Sequence, residues 1–109
     1  MGTEVFAYEE EGESDVLTQF LKTLTDKNDV LKVRKLVRFL QTQGRDLGFP
    51  VSKPLGGGIY ELRDRSAGFR IYYMFFNDAI AVLLIGGDKS SQENDIERAK
   101  VRRHRLLHR

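Results

Sequence analysis

The sequence has no cysteine and no tryptophan, and only two prolines and two methionines in 109 residues. Without cysteine there is no disulfide scaffold, no thiolate-bound zinc and no thiol nucleophile, and a reducing compartment suits the chain. Long hydrophobic runs are also missing. The longest strongly apolar stretch, Ala79 to Ile85, is seven residues, against about 20 for a membrane-spanning helix. The opening residues, MGTEVFAYEEEGESD, turn acidic where a signal peptide needs an apolar core. Together these absences predict a cytoplasmic protein with no membrane partner.

What is present is enough for one core. Hydrophobic residues make up 40% and aromatics 10% of a 12.6 kDa chain, so a single domain over residues 1–109 is expected. The formal charge of +2 conceals an asymmetry. Residues 1–29 carry eight acids and two bases, and residues 30–109 carry eight acids and sixteen bases. A basic body under an acidic first quarter points to one face that attracts a polyanion, with solvated charge as the simpler alternative. The basic helix and tail at about 91–109, ending KVRRHRLLHR, belong to that body.

Thr3 to Tyr8 alternates and reads as a strand. Ser14 is the expected cap of a helix carrying Val16, Leu17, Phe20, Leu21 and Leu24 on one side. After TDKN, a second helix shows Val30, Val33, Leu36, Val37 and Leu40 and stops at Gly44. Pro50 and Gly56 to Gly58 then break the helical period and predict a tight turn. Three strands follow: Ile59–Arg63, Phe69–Phe76 and the doubly apolar Ala79–Ile85. A last helix runs from Gln92 to about Leu106, with Ile96, Ala99 and Arg103 aligned. The order β-α-α-β-β-β-α predicts an α+β fold, its helical hairpin packed on one face of a mostly antiparallel sheet.

Strand alternation locates the chemistry. If the strands around Asp64–Gly68 pair, Glu61, Arg63, Arg70 and Tyr72 gather on one sheet face, expected to be open. Leu62, Ile71, Tyr73, Phe75 and Val82 would lie under the hairpin. Two guanidinium forks beside a carboxylate and a phenol fit a phosphate site, or else a salt-bridge ladder. Arg34, Arg38, Gln41 and Arg45 recur at helical spacing and form either a rail for RNA or a solvated face. His104 and His108 lack a carboxylate spaced to complete a metal site, so none is expected.

The blocks LGGGIYELR, RIYY, LLIGGDK and DIERA stand in order across this half of the chain. They resemble the RelE/ParE toxin superfamily of bacterial type II toxin–antitoxin modules, and within it the HigB-like "addiction module killer protein" group. The resemblance implies a RelE-like fold and a toxin that cleaves mRNA on the ribosome. It also implies silencing by a cognate antitoxin, commonly a helix-turn-helix DNA-binding protein. The implied reaction needs no cofactor: the ribose 2′-hydroxyl attacks the neighbouring phosphate and leaves a cyclic phosphate. By the same resemblance Arg63 and Arg70 hold the phosphate, while Lys89 and Lys53 stabilise charge or move protons. Glu61 either takes the proton or holds an arginine in place, and Tyr72 stacks on or orients a base. The tyrosine that assists cleavage in RelE itself has no match here, since Asp95 and Glu97 occupy that region. A ParE-like gyrase inhibitor and a degenerate antitoxin-binding member are the alternatives.

Overall fold

The alternation of TEVFAY makes β1 (Glu4–Ala7), and the helical spacing after it makes α1 (Val16–Thr23). The computed structural model describes residues 2–108; Met1 and Arg109, the final base of the tail, lie outside the described residues. The cap of α1 is Asp15 rather than the expected Ser14. Its carboxylate accepts from the Thr18 amide at 2.8 Å and the Thr18 hydroxyl at 2.9 Å. The Thr18 amide above all holds the Asp15 carboxyl below its ordinary value of 3.8. A lowered folded value means the ionised cap is fully stabilising above 3.8 and loses its effect as pH falls through the folded value. Asp15→Ala should therefore cost about 1 kcal/mol near neutral pH. Urea melts should show that difference shrinking to nothing in strong acid.

The second helix, α2 (Lys27–Gln43), starts at Asp26, buries Val33, Leu36 and Leu40, and ends at Gly44 as expected. Then come β2 (Ser52–Gly56), β3 (Ile59–Arg63), β4 (Phe69–Asn77), β5 (Ile80–Asp88) and α3 (Gln92–Leu107). Among the described residues five strands lie in the order β1-β5-β4-β3-β2. β1 runs parallel to β5, and every other pairing is antiparallel. β2 is an addition to the predicted order. Its sequence, SKPLG, carries a proline and a glycine that argue against a strand, and an edge position tolerates both. The predicted tight turn joins β2 to β3, with Gly56, Gly57 and Gly58 all at positive φ.

Directly paired residues share a sheet face. One face carries the rows Lys53–Glu61–Tyr72–Ile85 and Arg63–Arg70–Gly87. The other carries Leu62–Ile71–Gly86 and Tyr60–Tyr73–Leu83. On this second face α1 rests Phe20 on Gly86, where a Cβ would come within 2.6 Å of the ring. The apolar positions of α2 join the same core. The first face, expected to be open, is covered by α3, whose Ser91-to-Asp95 end seats against Gly87. The domain thus has three layers, with the sheet in the middle.

Val82 also departs from expectation. Tyr72 pairs with Ile85 but Tyr73 pairs with Leu83, so Leu84 is an extra residue. That bulge inverts the parity of the rest of β5 and sets Val82 opposite Met74, on the α3 side. The Leu84 carbonyl, without a partner in the β4 register, accepts from the buried Arg102 guanidinium at 2.7 Å. Inward positions of α3 are accordingly Asp95, Ala99 and Arg102: Ala99 is as expected, while Asp95 and Arg102 each stand one residue before the expected Ile96 and Arg103. Arg103 lies against Gly58 instead. Arg102 also stands over the Tyr8 ring and 3.7 Å from Glu10, which Arg105 reaches at 3.2 Å. The acidic first quarter is thereby fastened to the basic last helix.

Candidate functional site

Arg63 and Arg70 are direct cross-strand partners, as alternation required, and Glu61 and Tyr72 pair in the next row. Their side chains, however, have different commitments. Arg70 places its Nε 3.3 Å from Glu61 Oε1 and donates to its neighbour's carbonyl at Phe69. Glu61 is 2% exposed and also accepts from the Gln92 amide of α3 at 3.2 Å. A carboxylate buried this far needs such partners, because losing hydration costs several kcal/mol in the absence of compensation. Of its two expected roles, the geometry matches the one in which Glu61 holds an arginine.

Arg63 turns the other way, toward the sheet edge. Its Nε donates to the Pro50 carbonyl at 3.2 Å, and its guanidinium stands 5.2 Å from the centre of the Phe49 ring. The two forks therefore flank the row rather than converge within it. Lys53, placed in a loop by sequence, sits on β2 opposite Glu61 and is exposed. Lys89 is exposed at the start of the short turn between β5 and α3. Among the described residues neither lysine forms an ion pair. Beside Lys89, Asp88 accepts from the Ser90 hydroxyl and amide, and these bonds hold its carboxyl low.

Tyr72 corrects an expectation. It was to meet a base on an open face, yet it is 0% exposed beneath α3. Burial, then the neighbouring Glu61 and Asp95 carboxylates, push its phenol up to about 12. Its hydroxyl has no hydrogen-bond partner among the described residues. Arg34 and Arg38 are exposed on α2, on the opposite side of the sheet from the Arg63–Arg70 row. The structure does not bring them into the site. His104 and His108 stack with ring centres 4.2 Å apart. Among the described residues no three His, Asp or Glu groups are placed to hold a metal ion, and no helix is long and apolar enough to cross a membrane.

A cleft of about 550 Å³ lies at the Gly86–Gly87 end of β5 between α1 and α3. Its walls include Phe20, Phe69, Asp95 and Arg98 and none of the expected site residues. Sequence reading missed Phe49 and Gln92, and gave Asp95 only as part of the DIERA block, with no partner. Phe49 carried a signal as a large aromatic beside Pro50 after a glycine.

Comparison with known proteins agrees with this architecture. The family described as "Phage derived protein Gp49-like (DUF891)" matches residues 6–104. An "Uncharacterized protein" of Haemophilus influenzae is 46% identical over 50 residues, which is 45% of this chain and 50% of that protein. That alignment spans about half of the relative's length. Among solved structures, a double-arginine mutant of E. coli toxin RelE in the free state superposes with a TM-score of 0.65 at 14% identity. The match covers 94% of this chain and 98% of that one, and establishes a shared fold.

Proposed function

Because the chain belongs to the phage-derived Gp49-like family, we propose that it is the toxin of a type II toxin–antitoxin module and cleaves mRNA. The observation carrying this reading is the register that sets Arg63 beside Arg70, with Lys53 one row away on the same face. Transfer of a phosphate from the 5′-oxygen to the 2′-oxygen builds negative charge on phosphorus-bound oxygens. Fixed guanidinium forks stabilise such charge throughout, without losing a proton. Arg63 and Arg70 bind the scissile phosphate, and Lys53 and Lys89 add positive charge and exchange protons at the reacting oxygens. Glu61 positions Arg70. The substrate is mRNA in the decoding ribosome, the compartment is the cytoplasm, and a co-encoded antitoxin silences the protein.

Induced expression should arrest growth and generate new 5′-hydroxyl ends within coding sequences, mapped by sequencing of total RNA. Plasmid topology followed in the same cultures should not change. Arrest with altered supercoiling and no new ends would replace this reading with gyrase inhibition, which the same fold supports.

A further inference from the structure

Phe49 is the most exposed large hydrophobic side chain among the described residues, at 69%. Nothing in the fold calls for it, since the core closes without it. It is nevertheless held in place. The Arg63 guanidinium stands over its ring at 5.2 Å, and the same side chain pins the adjacent Pro50 carbonyl at 3.2 Å. The Arg63 amide also donates to the Val51 carbonyl at 2.9 Å, which continues the β2–β3 ladder up to this turn. An open aromatic face therefore sits at the sheet edge, directly beside an arginine of the site. Lys53 follows on the same edge strand, exposed and on the same face as Glu61.

Single-stranded nucleic acid is bound by this combination: cations track the phosphates while bases stack on aromatic rings. We infer that Phe49 is the base-stacking platform of the protein, receiving a nucleobase of a single-stranded RNA whose adjoining phosphate lies on Arg63. Tyr72, buried under α3, does not have that role. The inference rests on the RNA-cleaving reading and adds the substrate contact that orients the strand. It is a positioning contact, because stacking fixes where the chain runs and takes no part in bond breaking. Guanidinium contact on one side of the ring leaves its remaining surface to the base, and the cation strengthens the stack.

The chain has no tryptophan, so Phe49→Trp installs a single fluorescent reporter at the proposed contact. Two probes serve, used with the full chain: a 2′-O-methyl oligoribonucleotide that resists cleavage, and an abasic oligomer of equal length and charge. The base-bearing probe should quench the tryptophan and the abasic probe should not. Phe49→Ala should weaken the base-bearing probe by roughly 5- to 150-fold, the range of one lost stack. Its affinity for the abasic probe should be unchanged. At 69% exposure the substitution should leave the melting temperature in place. Equal binding of the base-bearing probe by wild type and Phe49→Ala, with an unquenched tryptophan, would overturn the platform and leave the nuclease reading standing. Equal losses on both probes would also overturn it. Failure of wild type to bind either probe would overturn both. Quenching by a co-purified antitoxin but not by RNA would reassign Phe49 to a protein contact.

Discussion

Arg70→Ala should abolish toxicity and weaken the fold at the same time. On the chemical side, removing one stabiliser of developing negative charge lowers the cleavage rate by roughly 10²–10³-fold. On the structural side, Arg70 is the ion-pair partner of Glu61, and the two side chains are 13% and 3% exposed. Removing it leaves a buried carboxylate unpaired, at a cost of about 3–5 kcal/mol. Against a total stability of about 5–15 kcal/mol for a domain, that is a large fraction. The effects separate in the double variant Glu61→Gln with Arg70→Ala, where no buried charge is left unpaired. Most of the stability should return in urea melts, and mRNA cleavage should stay lost. Arg70→Lys should recover only part of the rate, because an ammonium cannot reproduce the fork. Full toxicity of the double variant would remove Arg70 from the mechanism.

A second large effect is expected at Gly87, which faces α3 from the same row as Arg63 and Arg70. A Cβ there would overlap the Asp95 carboxylate and come within 2.6 Å of the Ser91 hydroxyl. The Asp95 side chain is held by that hydroxyl at 2.6 Å and is 5% exposed. It cannot retreat without leaving its donor. Overpacking of this kind costs about 1–3 kcal/mol, and about 4–8 °C of melting temperature accompanies each kcal/mol in a domain of this size. Gly87→Ala should thus lower the thermal midpoint by roughly 10 °C. Adding Asp95→Ala should recover much of the loss, since residues in contact are non-additive. Equal midpoints for Gly87→Ala and wild type would show that α3 moves aside freely.

That contact shows what could and could not be read from the residues. The sequence pattern paired GGDK with a later Asp-Ile-x-x-Ala but offered no physical link between them. Gly87 lies under Asp95, and this explains why a glycine and an acid occur together. Both helices of the hairpin were legible because their apolar residues repeat at helical spacing. The pairing of Arg63 with Arg70 was legible because alternation has period two. The cover over Tyr72 was not. Helix α3 meets the sheet through Asp95, Ala99 and Arg102, and two of those three are charged residues that read as a solvated face. The side of Val82 depended on one extra residue at Leu84, which no alternation rule reveals in a strand apolar at every position. β2 was hidden by its proline and glycine, and with it the edge that carries Lys53 and leads to Phe49.

The pairing of β1 with β5 bears on when the fold can close. Residue 4 must find residue 80, in parallel, across nearly the whole chain. Closing so wide a loop costs entropy before any contact repays it, and such long-range parallel pairings form slowly. Chains grow during synthesis at about 5–20 residues per second, so β1 waits seconds for its partner to be synthesised. Arg102 and Arg105, which fasten α3 to Glu10, appear later still. The edge pairing of β1 and the ion pairs that hold α3 to Glu10 are therefore late steps in closing the fold.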